Sequence, residues 1–214
     1  IISDGRLDIS DHGTILQRKA EAICEDGLLE FYPAEANQFE LGGFENLKQW
    51  LQRAALGFSE QARNMNLQPP RGILLTGVQG CGKSLAAKVI ARNWHIPLLK
   101  LDAGRLYNKY IGESDRNFRQ ATQMAESLAP VVLWIDEIEK AFAGGTGSGD
   151  SDGGTSRRLF GSFLTWMQEK KDMVFVVGTA NDLFRLPPEF LRKGRFDEIF
   201  FVDLPELPER LTIL

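Results

Sequence analysis

Along this chain apolar residues collect in short unbroken runs, and the stretches between the runs repeat apolar positions every three or four residues. The runs lie at Gly72 to Thr76, Leu98 to Leu101, Val131 to Ile135, Val174 to Gly178 and Ile199 to Val202. Each reads as a strand buried on both faces. Between them, Phe118, Ala121, Ala125 and Leu128 share one face of a helix, as do Leu159, Phe160, Phe163, Leu164 and Met167. Strand and helix in alternation predict crossover connections and an α/β fold, a doubly wound five-stranded parallel sheet. Upstream, Thr14 to Asp26 has the pattern of an amphipathic helix with Ile15, Leu16, Lys19 and Ile23 on one side, stopped by Gly27. It fits the tail of a preceding domain. Gly144 to Gly154 holds only Gly, Ser, Thr and Asp, which cannot bury enough apolar surface to order themselves, so a mobile loop is expected there.

Composition narrows the picture. With 43% hydrophobic residues, 14 Phe and 4 Trp, the chain can build one sizeable core. A net charge of -4 and the lack of any block of Lys and Arg argue against bulk nucleic-acid binding. Cys24 and Cys81, with His12 and His95, have the spacing of neither a zinc site nor a disulfide framework, which fits a reducing, intracellular setting. No apolar run approaches the ~20 residues that span a bilayer, and the first residues are not a signal peptide, so the protein reads as soluble. The chain lacks an initiator Met, and Pro208 to Leu214 resembles the opening of a helix that is cut off. A fragment of a longer protein is expected.

Chemistry enters at Gly77-Val78-Gln79-Gly80-Cys81-Gly82-Lys83-Ser84, directly after the first strand and before a helical pattern from Lys83 toward Asn93. Glycines at 77, 80 and 82 let the backbone wrap an anion, so that successive N–H groups and a helix N-terminus face phosphates. Lys83 would reach the β and γ oxygens of ATP, and the Ser84 hydroxyl would ligate Mg²⁺. Average residue usage makes a chance match in a chain this long about a one-in-a-hundred event. The run ending Ile135-Asp136-Glu137 delivers two carboxylates at a strand's C-terminal end, where ligands bind in open α/β sheets. Asp136 suits the metal, and Glu137 suits polarising the water that attacks the γ-phosphorus. Alone such a pair is often an ordinary strand end; the phosphate loop changes the balance. Asn181, after Val176 to Ala180, can orient that water or simply form a turn with Asp182. Arg192 and Arg195 can complement a helix dipole, or act as arginine fingers that reach a neighbouring subunit's γ-phosphate.

Pro69 to Leu75, the phosphate loop, Asp136-Glu137, Asn181 and Leu191-Arg192-Lys193-Gly194-Arg195-Phe196-Asp197 together resemble the AAA ATPases that include katanin and the segregases. The likeness runs from about Phe39 to Leu214. Leu29-Glu30-Phe31-Tyr32-Pro33 and Phe39 to Gly43 resemble more narrowly a branch encoded in cyanobacteria and some algal plastid genomes, which implies the cytoplasm or the plastid stroma. The resemblance implies an AAA+ large subdomain at 39–207, a linker or preceding domain at 1–38, and a helical lid essentially absent after its start at 208–214. It implies rings, usually hexamers, with ATP between neighbours and the arginines supplied in trans. Leu41, Gly42 and Gly43, with Leu85 after the phosphate loop, would line the nucleotide site. Lys109 to Ser114 stands where the family presents an aromatic to a central pore, which would make Tyr110 and Ile111 substrate-gripping residues; Tyr110 can instead be a core residue or an ordinary exposed aromatic. Gly144 to Gly154 and Arg157-Arg158 occupy the place of a second pore loop, or are a solvated linker. Val78-Gln79 and Cys81 replace the family's frequent prolines and threonine, and Asp182 replaces an arginine; no catalytic group is lost. The implied activity is hydrolysis of ATP with Mg²⁺, used to remodel or unfold protein clients, with no membrane and no nucleic acid as partner. A nucleotide-gated regulator or scaffold is the alternative.

Overall fold

A computed structural model of the chain describes residues 18, 20, 27–33, 41–106, 113–142 and 152–213. Five strands stand where the apolar runs lie: β2 (Gly72–Gly77), β3 (Leu98–Asp102), β4 (Val131–Asp136), β5 (Val174–Ala180) and β6 (Glu198–Val202). They are parallel to one another. A sixth, β1 (Leu29–Tyr32), pairs antiparallel with β3, so the sheet runs β1-β3-β4-β5-β2-β6. The five-stranded expectation thus gains an edge strand. Its brevity and single buried residue, Leu29, explain why periodicity did not reveal it. The sheet therefore reaches back beyond residue 39, and Ala20, in helical conformation, is buried in the same core.

Residues of β2 and β5 are buried throughout, as two-sided packing requires. One face carries α1 (Glu45–Ala55) and α3 (Lys83–Trp94), with Leu47, Leu51, Ile90, Phe175 and Val177 in one apolar cluster. A short helix, α2 (Glu60–Asn64), follows α1. The other face carries α4 (Glu113–Ser127) and α6 (Asp152–Glu169), where Phe118, Phe163, Phe190 and Phe196 pack with Phe142 of α5 (Ile138–Phe142). Most of these rings pack tilted, as between Phe142 and Phe163 at 5.1 Å, while Phe190 and Phe196 stack at 6.1 Å, arrangements that add to burial. The last described helix, α7, is Leu207–Ile213.

One loop expectation changes. The helix α6 begins at Asp152, inside the Gly144 to Gly154 stretch read as a mobile loop; residues 143–151 lie outside the described residues. Of the helix expected over Thr14 to Asp26, Arg18 and Ala20 are described and are helical.

Candidate functional site

The strands β2, β4 and β5 end together on one side of the sheet, and the candidate residues cluster there because parallel strands deliver their C-terminal ends to a common edge. At the end of β2, Gly77 lies so close to β6 that a Cβ would sit 1.9 Å from the carbonyl oxygen of Val202. Glycine is required here by a neighbouring strand. The loop then turns through Gly80 and Gly82, both left-handed, with φ of 87° and 85°. Gly82 caps α3 without any side-chain hydrogen bond, so the first-turn amides of that 12-residue helix receive no side-chain cap. Val78, Gln79 and Gly80 are exposed, Ser84 and Leu85 half-buried, and Cys81 packs into the core.

Lys83 is only 6% exposed, yet its Nζ donates to two loop carbonyls, Gly77 O and Val78 O, both at 2.7 Å. A buried ammonium held by carbonyls, beside uncapped helix amides, is a donor set that fits a polyanion. The phosphate-loop residues therefore fit nucleotide phosphates. Beside the loop opens a cleft of about 1160 Å³ whose lining includes Leu41, Gly42, Phe44, Cys81 and Leu85, with β6 along one wall. Gly43 is pressed against α7: a Cβ there would sit 2.3 Å from Glu209 Oε1. Phe44 is left-handed and its ring lies near Gly82, a role that sequence reading missed.

Across β5, the two carboxylates after β4 are laced to the next strand. Thr179 Oγ1 donates to Asp136 Oδ1 at 2.6 Å and accepts from the Glu137 amide at 3.2 Å. One hydroxyl thus orients both acids. Glu137 has φ of 49°, and in that conformation its Oε1 accepts a long 3.4 Å contact from Asn181 Nδ2 while Oε2 pairs with Lys140 at 2.5 Å. That hydrogen bond to Glu137 raises the Lys140 pKa above its ordinary value. Buried Glu139 accepts the Asn181 amide at 3.0 Å, which fixes the end of β5. The structure therefore brings Asp136, Glu137 and Asn181 into one network. Thr179, Glu139 and Lys140 were not singled out in sequence; a lone polar residue ending an apolar strand was the available signal for Thr179. An Asp carboxylate and the Ser84 hydroxyl are hard oxygen donors of the kind Mg²⁺ prefers.

Arg192 and Arg195 stand elsewhere. They precede β6, whose first residue pairs with Ile73, so they lie at the N-terminal end of β2. The phosphate loop leaves the other end of that strand, roughly 16 Å away at 3.3 Å per residue. Arg192 is exposed, and the Nε of Arg195 is buried without a hydrogen-bond partner among the described residues. Tyr110 and Ile111 lie outside the described residues, between Leu106 and α4.

Known proteins extend this geometry. The family model for ATPases associated with various cellular activities matches residues 73–204. The chain is 50% identical over 207 residues to the uncharacterized AAA domain-containing protein ycf46 of Guillardia theta, covering 97% of this chain and 40% of that protein. For the ycf46 protein of Pyropia yezoensis the identity is 52% over 208 residues, 97% of this chain and 42% of that one. More distantly, it is 35% identical over 180 residues to the nuclear valosin-containing protein-like of Mus musculus, 82% of this chain and 21% of that protein. The chain spans about two fifths of the length of the ycf46 relatives. Its strands and loops accord with these matches, and the chain belongs to the AAA family of ATPases.

Proposed function

We propose that this chain binds ATP at the Gly77 to Ser84 loop, hydrolyses it with Mg²⁺, and in a homo-oligomeric ring, a hexamer by family likeness, uses the cycle to remodel or unfold protein clients. The observation that carries the chemical part is the Thr179 network: it holds Asp136 and Glu137 in different settings at the end of β4. Lys83 exchanges its two loop carbonyls for phosphate oxygens. Mg²⁺ held by Ser84 and Asp136 supplies charge neutralisation. Glu137 releases Lys140, takes a proton from the attacking water, and keeps Asn181 as its orienting partner. Leu41, Gly42 and Gly43, with Leu85, receive the base. Arg192 and Arg195 lie too far from their own phosphate loop to serve it, which favours action at a neighbour's site. Tyr110 and Ile111 are taken as the client-gripping residues. The matches to ycf46 proteins favour the plastid stroma or the cytoplasm as the setting.

The site is tested by separating binding from chemistry. Lys83→Ala should weaken ATP binding on the order of tenfold or more, because it removes the charge that meets ground-state phosphate. Glu137→Gln should bind ATP normally and fail to turn it over. Fluorescent-nucleotide binding and phosphate release, on the full-length protein, read the two defects. Normal turnover by Glu137→Gln would remove Glu137 from its role.

A further inference from the structure

The turn carrying the arginines is tied down more tightly than its exposure suggests. Asp197 Oδ2 accepts hydrogen bonds from the backbone N–H of Arg71 at 2.6 Å and of Gly72 at 2.9 Å, while the Asp197 amide donates to Gly72 O at 2.8 Å. The Arg71 guanidinium donates to the Gly194 carbonyl and, at 3.2 Å, to Gln68 Oε1. Gly194 is left-handed at φ 95°, and Phe196 is buried against Phe190 with ring centroids 6.1 Å apart. Residues 194, 196 and 197 are thus fixed, and between them Arg195 keeps its Nε without a hydrogen-bond partner among the described residues. A turn fastened on both sides of one uncommitted guanidinium is a mount for that side chain.

We propose that Arg71 and Asp197 are positioning residues that clamp the Arg192 to Asp197 turn onto the first residues of β2 and so aim Arg195 at a neighbouring subunit's nucleotide. This rests on the reading of Arg195 as a finger acting in trans. The clamp and the chain's own phosphate loop occupy opposite ends of β2. Loosening the clamp therefore damages the site of the next subunit and spares the nucleotide affinity of its own.

The test uses the full-length protein and mixed assemblies. Asp197→Ala should lower turnover on the order of tenfold, since a carboxylate bonded to two amides is lost, with ATP affinity changed less than about twofold. Asp197→Asn, which keeps an acceptor oxygen, should recover most of that loss. Mixing decides where the defect acts. A Lys83→Ala chain, whose finger is intact, should restore activity to Arg195→Ala and equally to Asp197→Ala. A Lys83→Ala/Asp197→Ala chain should not restore Arg195→Ala. If the double variant rescues as well as Lys83→Ala alone, the clamp does not position the finger and the proposal is overturned. If Lys83→Ala itself fails to rescue Arg195→Ala in verified mixed assemblies, the trans reading falls and takes the clamp with it. Should Asp197→Ala not fold, Arg71→Met carries the same comparison, because it removes the guanidinium bonds to Gly194 and Gln68 and leaves the backbone amide that Asp197 accepts in place.

Discussion

Lys170 follows α6 with its ammonium drawn inward: Nζ donates to the Val174 carbonyl and sits 6.0 Å from the Trp166 ring centroid. Burial lowers its pKa from 10.5 to about 8; nearby Arg71 pushes the same way, while Asp197 and Glu126 oppose. The consequence for stability has a definite sign. Below pH 8 the residue is charged in both folded and unfolded chains, and the fold bears the whole cost of holding the charge out of water. Between pH 8 and 10.5 the unfolded chain still binds the proton and the folded chain does not, so this residue makes stability rise with pH across that window. The gain is at most about 3 to 4 kcal/mol. Lys170→Met keeps an apolar stem and removes the titration. Thermal melts at several pH values from 7 to 10 should therefore show a flatter profile for the variant than for the wild type, with the variant relatively most stable at the low end. Parallel profiles would mean that Lys170 keeps its proton in the fold.

At the scale of elements, the end of β5 sets the geometry of the end of β4. Thr179 is 2% exposed, and Val would fill its place with nearly the same shape while removing the bond to Asp136 and the acceptor for Glu137. Thr179→Val should raise the Mg²⁺ concentration for half-maximal ATPase activity, and lower turnover, by about 10- to 100-fold, as loss of a residue that orients a ligand does. Thr179→Ser, which retains the hydroxyl, should stay near wild type. Unchanged Mg²⁺ dependence in Thr179→Val, with the fold intact by melting, would detach Thr179 from the metal. The same elements explain what could be read from the chain. The parallel strands were legible because two-sided burial makes Val131 to Ile135 and Val174 to Gly178 almost wholly apolar. The phosphate loop was legible because its eight residues are contiguous. Contacts made across the sheet were hidden: Thr179 meets Asp136 from 43 positions away, and Asp197 meets Gly72 from 125. β1 was hidden for another reason, since a four-residue edge strand with mixed burial carries no periodic signal.

Across the whole molecule, motor and switch are told apart at the proposed client contact, Tyr110. The segment holding Tyr110 follows β3 and its short 3-10 turn, Ala103–Leu106, and β3 lies three strands from β2, about 14 Å across the sheet. β3 is paired with β4, Asp102 opposite Asp136, so the Tyr110 substitution is read against a wild-type-like basal ATPase as its own control. An aromatic side chain grips an extended polypeptide by non-directional apolar contact, which suits a machine that handles many side chains in succession. If the protein is such a machine, Tyr110→Ala keeps ATP binding and basal hydrolysis within about twofold of wild type and loses ATP-dependent unfolding of a client. The client is found by capturing proteins on full-length Glu137→Gln loaded with ATP, and unfolding is followed as lost fluorescence of a fluorescent protein fused to the captured partner. A nucleotide-gated regulator behaves otherwise: it binds and releases its partner with the ATP cycle, unfolds nothing, and is indifferent to Tyr110→Ala. Wild-type protein that releases its captured partners on hydrolysis without any loss of fluorescence, and a Tyr110→Ala variant that does the same, would replace the remodelling motor with the switch. The experiment reads the output of the ATP cycle and not its fuel, so Lys83→Ala serves as the control: it should abolish both unfolding and partner cycling under either reading, because both require ATP to be held at the end of β2.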